Sequence, residues 1–168
     1  MNSTDFKKGL DRVLRSLGFQ RAGKAFARSG GNVLTLVAFQ KSSYGDQYWI
    51  NVGFWLEGLG GPRPNRVERT HLYYRLDDLF PEDAETIVAA GDLEEPDQPR
   101  ILVGDFKERR QRRAYQQLLN LFESHFDTEL RDVGSEAGLR KAMKEGRLEQ
   151  GLITKEAREW LRSANQRK

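Results

Sequence analysis

The sequence predicts an α+β fold, in which an antiparallel sheet of four to five strands packs against N-terminal and C-terminal helices. Two runs rich in β-branched and aromatic residues, 33–40 and 48–56, are joined by a polar turn, a pattern typical of a central β-hairpin. Residues 3–17, and most of the chain after residue 80, carry apolar residues at helical spacing, which indicates helices on both sides of the sheet segment.

Length and composition favour one soluble domain. The chain has 168 residues, of which 38% are hydrophobic and 32% are charged, and this is enough to bury one core. We predict a single domain over residues 1–168, with a helix and the sheet in residues 1–80 and a mainly helical part of the same domain in residues 81–168. There is no cysteine, so disulfides and cysteine-based zinc sites are excluded.

The first elements are a helix and a strand. Residues 3–17 form an amphipathic pattern, and Ser3 or Thr4 is expected to cap this helix through a side-chain oxygen. A strand follows over residues 19–28, interrupted near Gly23. The apolar stripe of the helix consists of Phe6, Leu10, Val13, Leu14 and Leu17.

The hairpin strands differ in their two faces. Residues 33–40 are apolar on both faces, so we expect this strand to be central and covered on both sides. Residues 48–56 alternate between two sets, and the more apolar set should face the core. That core set is Tyr48, Ile50, Val52, Phe54 and Leu56, and the opposite set is Trp49, Asn51, Gly53 and Trp55.

The remaining elements are shorter or helical. Alternating apolar residues within residues 70–79 favour a further strand, and residues 100–103 fit either a short strand or the lead-in to a helix. Glycines separate the later helical patterns. We predict a glycine- and proline-rich loop at residues 58–65, helices at residues 82–90, 105–126 and 135–144, and a last helix capped by Thr154.

Several short pieces of the chain resemble a bacterial family known as domain of unknown function 4304. The pieces are Leu-Gly-Phe at residues 17–19, Phe-Gln-Lys-Ser-Ser at 39–43, Tyr-Trp-Ile-Asn-Val-Gly at 48–53 and Arg-Leu-Asp-Asp-Leu at 75–79. The resemblance covers the first half in detail, and the second half agrees in being helical. It implies a small cytoplasmic protein without an established activity, and some members of the family resemble immunity proteins of bacterial toxin systems.

Three polar residues at the end of the hairpin form a candidate binding site. Gln40 and Asn51 lie at facing ends of the two strands, and Ser42 begins the turn. Their amide and hydroxyl groups can bind a peptide backbone or a small polar ligand, or they can satisfy backbone groups of the turn. Trp49 and Trp55 share one strand face, where a helix covers them or they form a recognition surface.

The charged residues are segregated along the chain. Nine acids and no base fall between residues 77 and 99, whereas six bases and two acids fall between residues 100 and 113. The acidic block, with Glu94 and Glu95, can meet a cationic partner, and Arg109, Arg110 and Arg113 can contact a phosphate backbone. The alternative for both blocks is a solvated protein face.

No pattern indicates a cofactor or a metal. His71 and His125 have no partner at metal-ligand spacing. Residues 18–25 approach a phosphate-binding loop, but Ala25 stands where that motif needs Ser or Thr. We therefore expect neither a metal nor a cofactor.

These observations lead to three functional hypotheses. The leading one is a non-enzymatic protein-binding module, with an immunity-type inhibitor of a bacterial toxin as its most specific form. The second is a nucleic-acid-binding protein that uses the arginine-rich helix, and the third is a hydrolase or transferase at Gln40, Ser42 and Asn51. The N-terminus lacks the apolar core of a signal peptide and no apolar run is long enough for a membrane span, so we expect a cytoplasmic protein that does not enter the membrane. The pattern leaves the oligomeric state open.

Overall fold

A six-stranded antiparallel sheet forms the centre of the computed structural model, which describes residues 1–93 and 102–163. The strands lie in the sheet in the order of the sequence, so each one pairs with its neighbour along the chain. This confirms the predicted α+β class, although the sheet has one strand more than the four to five expected. The strands are β1 (Gln20–Ala22), β2 (Ala25–Gly30), β3 (Val33–Lys41), β4 (Tyr48–Leu56), β5 (Leu72–Arg75) and β6 (Leu152–Ile153).

The β3–β4 hairpin is the longest pairing in this sheet. Its register runs from Val33 opposite Leu56 to Lys41 opposite Tyr48. Because side chains alternate between the faces of a strand, this register aligns the apolar set of β4 with Val33 and Val37 on one face. The predicted division of both strands into two faces is confirmed by the two clusters of buried residues.

The helices flank the sheet in sequence. The expected strand over residues 70–79 ends at Arg75, because residues 76–79 turn into a short helix. The helices are α1 (Ser3–Ser16), α2 (Leu76–Leu79), α3 (Ala84–Gly91), α4 (Leu102–Leu121), α5 (Asp127–Val133), α6 (Glu136–Lys144) and α7 (Lys155–Ser163), with shorter 3-10 turns at Glu57–Leu59, Val67–Arg69 and Pro81–Asp83. None of the helices in these ranges is both long and apolar enough to cross a membrane.

The cap of the first helix and the end of the long helix differ from the predictions. Asn2, rather than Ser3 or Thr4, caps α1, since its Oδ1 accepts a hydrogen bond of 2.8 Å from the Asp5 amide. The predicted helix over residues 105–126 does not end there, because a π-helical turn at Phe122–Phe126 connects α4 directly to α5. The extra residue in that turn keeps both phenylalanines in the core.

The first face of the sheet carries the main core. Buried side chains from α1, from the α4–α5 helical run and from α6 and α7 pack on β2 to β5. The opposite face, here called the second face, has a smaller cluster beneath the segment that joins β4 to β5. Thr70 of that segment lies so close to β4 that a Cβ on Gly53 would be 2.7 Å from the Thr70 methyl carbon, which requires glycine there. The smaller cluster consists of Ala25, Leu34, Leu36, Trp55 and Val67.

Candidate functional site

The second face is not covered along its whole length. The segment between β4 and β5 buries Trp55, which is 8% exposed and stacks on His71 with 6.0 Å between ring centroids. Trp49, at the other end of β4, is only half-buried. The two tryptophans predicted to share a face do so, but only Trp49 offers a substantial surface to a ligand.

Asn51 lies beside Trp49 on this face and is 1% exposed. Its Nδ2 donates a hydrogen bond of 2.8 Å to Oε1 of Gln40. Its Oδ1 is buried, and no described residue donates a hydrogen bond to it. The predicted proximity of Gln40 and Asn51 is therefore correct. The Asn51 Oδ1 is left without a donor among the described residues, and a buried carbonyl oxygen without a donor lowers the stability of the fold.

Arg75 completes the surface from the neighbouring strand, where it lies directly opposite Asn51. Its guanidinium carbon is 3.5 Å from the centroid of the Trp49 ring, a close cation–π stack. One terminal nitrogen lies 3.2 Å from Oδ2 of Asp77, whereas the Arg75 Nε and the Asp77 Oδ1 are buried without a partner in the described chain.

We call this group the Trp49 cluster: Gln40, Trp49, Asn51, Arg75 and Asp77. Ala38, the neighbour of Asn51 on β3, contributes only a small side chain beside this group. Its charges cancel, with one guanidinium against one carboxylate. The cluster therefore offers an aromatic plane and hydrogen-bonding groups of both kinds, and it contains no cysteine, serine, histidine or lysine.

Tyr73 shows the electrostatic character of the adjoining surface. It lies on the same face as Arg75, two residues before it in β5. Burial raises the pKa of the Tyr73 hydroxyl, the negative charges of Glu68 and Asp78 raise it further, and only Arg75 opposes them. Two acidic groups thus act on Tyr73, next to the neutral cluster.

Arg75 was not among the predicted site residues, and Asp77 was predicted only as the first acid of the acidic block. The alternation of Leu72 and Tyr74 toward the core could have placed Arg75 on the second face. Its position opposite Asn51 depends on the register between β4 and β5, which are separated by a long irregular segment, and no local pattern fixes that register.

The comparison with protein families adds one finding. Residues 10–90 match a family model described as a domain of unknown function (DUF4304). This confirms the resemblance to the DUF4304 family. The matched span runs from α1 to α3 and contains every residue of the Trp49 cluster. No curated protein and no solved structure matches the chain.

The other predicted site residues are not part of the cluster. Ser42, also within the DUF4304 match, has its Oγ engaged by the Tyr44 amide at 3.1 Å, as in a serine-stabilised turn. Glu94 and Glu95 lie outside the described residues.

The arginine-rich strip lies on α4, outside the DUF4304 match. Arg109, Arg110 and Arg113 are all exposed. Arg110 forms an ion pair of 3.0 Å with Glu85. A second pair, of 3.1 Å, joins Lys107 to Asp92, so the segregated acidic and basic blocks of the sequence partly meet each other across α3 and α4.

One group of described residues brings three possible metal ligands together. Ligand atoms of Glu82, Asp83 and His125 all lie within 4.8 Å of one another. Glu82 is also 3.6 Å from His125 Nε2, and both side chains are well exposed. A polar contact between Glu82 and His125 explains their approach without a metal.

Proposed function

We propose that this chain is a non-enzymatic protein-binding module and that the Trp49 cluster is its contact surface. The observation that carries the proposal is the stack of Arg75 on half-buried Trp49 beside a fully buried Asn51 whose Oδ1 has no described donor. Tryptophan and arginine are the residues that most often dominate binding energy at protein interfaces.

The unsatisfied groups of the cluster support binding rather than a purely structural role. A core polar group is normally paired within the fold, because an unpaired one lowers stability. Here three buried polar atoms in Asn51, Arg75 and Asp77 lack described partners. The free protein already bears the desolvation cost of these atoms. A partner that supplied their hydrogen bonds would therefore bind more tightly, because it would not have to desolvate them.

The most specific form of this proposal is an immunity-type inhibitor of a bacterial toxin, acting in the cytoplasm. The family resemblance motivates it. If the toxin surface is cationic, the acidic block would accelerate encounter. Reversing the charges of Glu94 and Glu95 should then slow association, and unchanged association kinetics would remove these residues from the interface.

A pull-down with matched variants tests the contact surface. The tagged wild-type chain, Trp49→Ala and the control Phe106→Ala are each exposed to native lysate, with and without nuclease. Phe106 is another exposed aromatic residue, 78% exposed on α4, and it lies outside the second face. We expect a stoichiometric protein that survives nuclease and is captured by the wild type and Phe106→Ala but not by Trp49→Ala.

The captured protein is then purified and titrated against the same three chains. Equal affinity for Trp49→Ala and the wild type would show that the cluster is not the contact surface. Loss of every partner on nuclease treatment would favour nucleic acid instead.

Nucleic-acid binding is the second candidate, and one observation favours it. Arg109 and Arg113 are exposed and form no ion pair with a side chain of residues 1–93 or 106–163, so both lie where phosphates can reach them. Replacing Arg109, Arg110 and Arg113 with glutamine should flatten the salt dependence of binding to a DNA or RNA duplex. An unchanged slope would exclude the strip.

A further inference from the structure

We propose that the Trp49 cluster recognises a primary carboxamide, the side chain of an asparagine or glutamine on a surface loop of the partner protein. This inference rests on the proposed protein-binding function and specifies its chemistry. Three buried polar atoms of the cluster have no described hydrogen-bond partner. They are Asn51 Oδ1, Asp77 Oδ1 and Arg75 Nε.

These atoms belong to side chains that are already joined. Asn51 and Arg75 face each other across the β4–β5 pairing, and a terminal nitrogen of Arg75 contacts the other carboxylate oxygen of Asp77 at 3.2 Å. Two of the three atoms are acceptors, and the third, Arg75 Nε, is a donor. The complementary ligand therefore carries two donor hydrogens and one acceptor oxygen.

A primary carboxamide has this composition in one small planar group. A carboxylate has no donor for the two acceptor oxygens, and an ammonium or guanidinium has no acceptor for Arg75 Nε, so each leaves part of the cluster unpaired. A peptide bond has an acceptor but a single N–H. A neutral ligand also suits a cluster whose own charges cancel.

The cluster already holds one carboxamide of its own chain. Oε1 of Gln40 accepts a hydrogen bond from Asn51 Nδ2. A carboxamide thus already pairs with the Asn51 amide nitrogen, whereas the Asn51 oxygen has no such partner in the described chain. The Trp49 ring supplies a plane on which a flat group packs, as the Arg75 guanidinium does at 3.5 Å.

Entry of the ligand requires a side-chain movement. The three atoms are closed to solvent, while the Arg75 side chain above Trp49 is 36% exposed and the Gln40 side chain is also exposed. The exposed Gln40 side chain can turn outward while Arg75 keeps its contacts with Trp49 and Asp77. We therefore expect Gln40 to turn outward when the carboxamide binds, and Arg75 to stay on the Trp49 ring.

Three probes with the same backbone test this recognition. The isotope-labelled full chain is titrated with the N-acetyl methylamides of glutamine, glutamate and methionine, and the side-chain N–H resonances of Trp49, Asn51 and Arg75 are followed by NMR. We expect saturable shifts with the glutamine probe, and binding about tenfold weaker or absent for the other two, which cannot satisfy both kinds of group.

Variants locate the binding within the chain. Asn51→Leu should abolish the shifts of the glutamine probe, and the control Phe106→Ala should leave them unchanged; a thermal melt verifies that each variant is folded. Equal shifts from all three probes would mean that the site recognises the shared backbone, and no shift from any probe would mean that the cluster does not bind a carboxamide. Either outcome overturns the proposal.

Failure of this inference can be distinguished from failure of the proposed function. If Trp49→Ala no longer binds the protein partner but the glutamine probe causes no NMR shifts, the cluster is a protein-binding surface that recognises a group other than a carboxamide. If the partner is identified and the inference is correct, replacing one asparagine or glutamine in its contact loop with alanine should weaken binding as much as Asn51→Leu does.

Discussion

The guanidinium of Arg75 lies 3.5 Å from the centre of the Trp49 ring, and this contact joins two strands whose pairing the sequence does not reveal. It holds Arg75 above Asn51, its cross-strand neighbour, and beside Asp77 at 3.2 Å. Because guanidinium is planar and ammonium is not, the stack requires arginine rather than any cation. Replacing Arg75 with lysine therefore keeps the positive charge and removes the planar group, so the two contributions to binding can be measured separately.

Arg75→Lys should weaken partner binding while retaining the ion pair with Asp77. Loss of the planar stack is expected to cost about 0.5–1 kcal/mol, whereas Trp49→Ala should cost about 2 kcal/mol or more, because it removes the aromatic centre of the contact. Calorimetric titration of the purified partner gives both values. A lysine variant that binds like the wild type would show that only the charge of residue 75 matters.

The hairpin and the core helices could be predicted because their patterns are local. Strict alternation in residues 48–56 determines which side chains of β4 face the core, and regular spacing identifies Phe6, Leu10 and Leu14 of α1. Strand β6 has two residues and thus no period to detect. The continuation beyond Phe126 was missed because a π-helical turn shifts the spacing by one residue.

The candidate site was predictable only as far as the hairpin extends. Gln40 and Asn51 could be paired because one short turn sets the register of β3 and β4. Arg75 and Asp77 reach the site through the pairing of β4 with β5, across a connection of irregular segments. The burial of Trp55, and hence its difference from Trp49, likewise depends on where that connection folds.

Arg28 and Asp127 form a largely buried ion pair between β2 and α5, and breaking it should destabilise the fold. Arg28 also donates to the Leu17 carbonyl at 2.8 Å. Burial alone would raise the pKa of the Asp127 carboxyl, but hydrogen bonds and charge from Arg131 and Arg28 hold that pKa below its ordinary value. Asp127→Asn should lower the free energy of unfolding by about 2 kcal/mol, since a buried cation then lacks its anion.

Denaturant unfolding at neutral pH measures this loss, and Arg131→Gln is the matched control. Arg131 contacts the same carboxylate at 2.9 Å but is 56% exposed, so its removal should cost less than about 1 kcal/mol. Equal losses for both variants would contradict the assignment of the main stabilisation to Arg28.

His71 should make the stability fall at mildly acidic pH. Its Nδ1 accepts a hydrogen bond of 2.9 Å from the Leu56 amide, and burial lowers the pKa of the imidazole below 6.5, although Glu156 opposes the shift. As the pH falls below about 6.5, the unfolded chain therefore binds a proton more readily than the folded chain. The stabilisation is complete above that pH and declines below it.

The comparison with His71→Asn isolates this effect, because the asparagine oxygen can accept the same hydrogen bond and does not titrate. The free energy of unfolding is measured for both proteins at about pH 7.5 and about pH 5.5. We expect the wild type to lose about 1 kcal/mol relative to the variant at the lower pH. A constant difference between the two proteins would refute the role of His71.

Gly9 of α1 lies directly against Tyr115 of α4. A Cβ at residue 9 would overlap the Tyr115 hydroxyl, which donates to the Phe6 carbonyl at 2.9 Å. Gly9→Ala should therefore destabilise the wild type by about 1–3 kcal/mol through overpacking. In a Tyr115→Phe background the same change should cost less, and a double-mutant cycle measures the coupling. Additive losses would mean that the two residues do not contact each other.

Asn51→Leu should separate the binding role of the Trp49 cluster from a structural one. The change removes a 1%-exposed amide whose Oδ1 has no described donor, and the lost bond to Gln40 is replaced by water because Gln40 is exposed. A residue kept for stability would cost about 1–3 kcal/mol when removed in this way. We expect instead a free energy of unfolding that is unchanged or higher by about 1 kcal/mol, since removing an unsatisfied polar group relieves its desolvation cost. Partner binding, measured on the same preparation, should be lost. A variant that keeps its stability but no longer binds the partner would show that Asn51 serves recognition. A variant that loses both stability and binding would show that Asn51 serves to stabilise the fold.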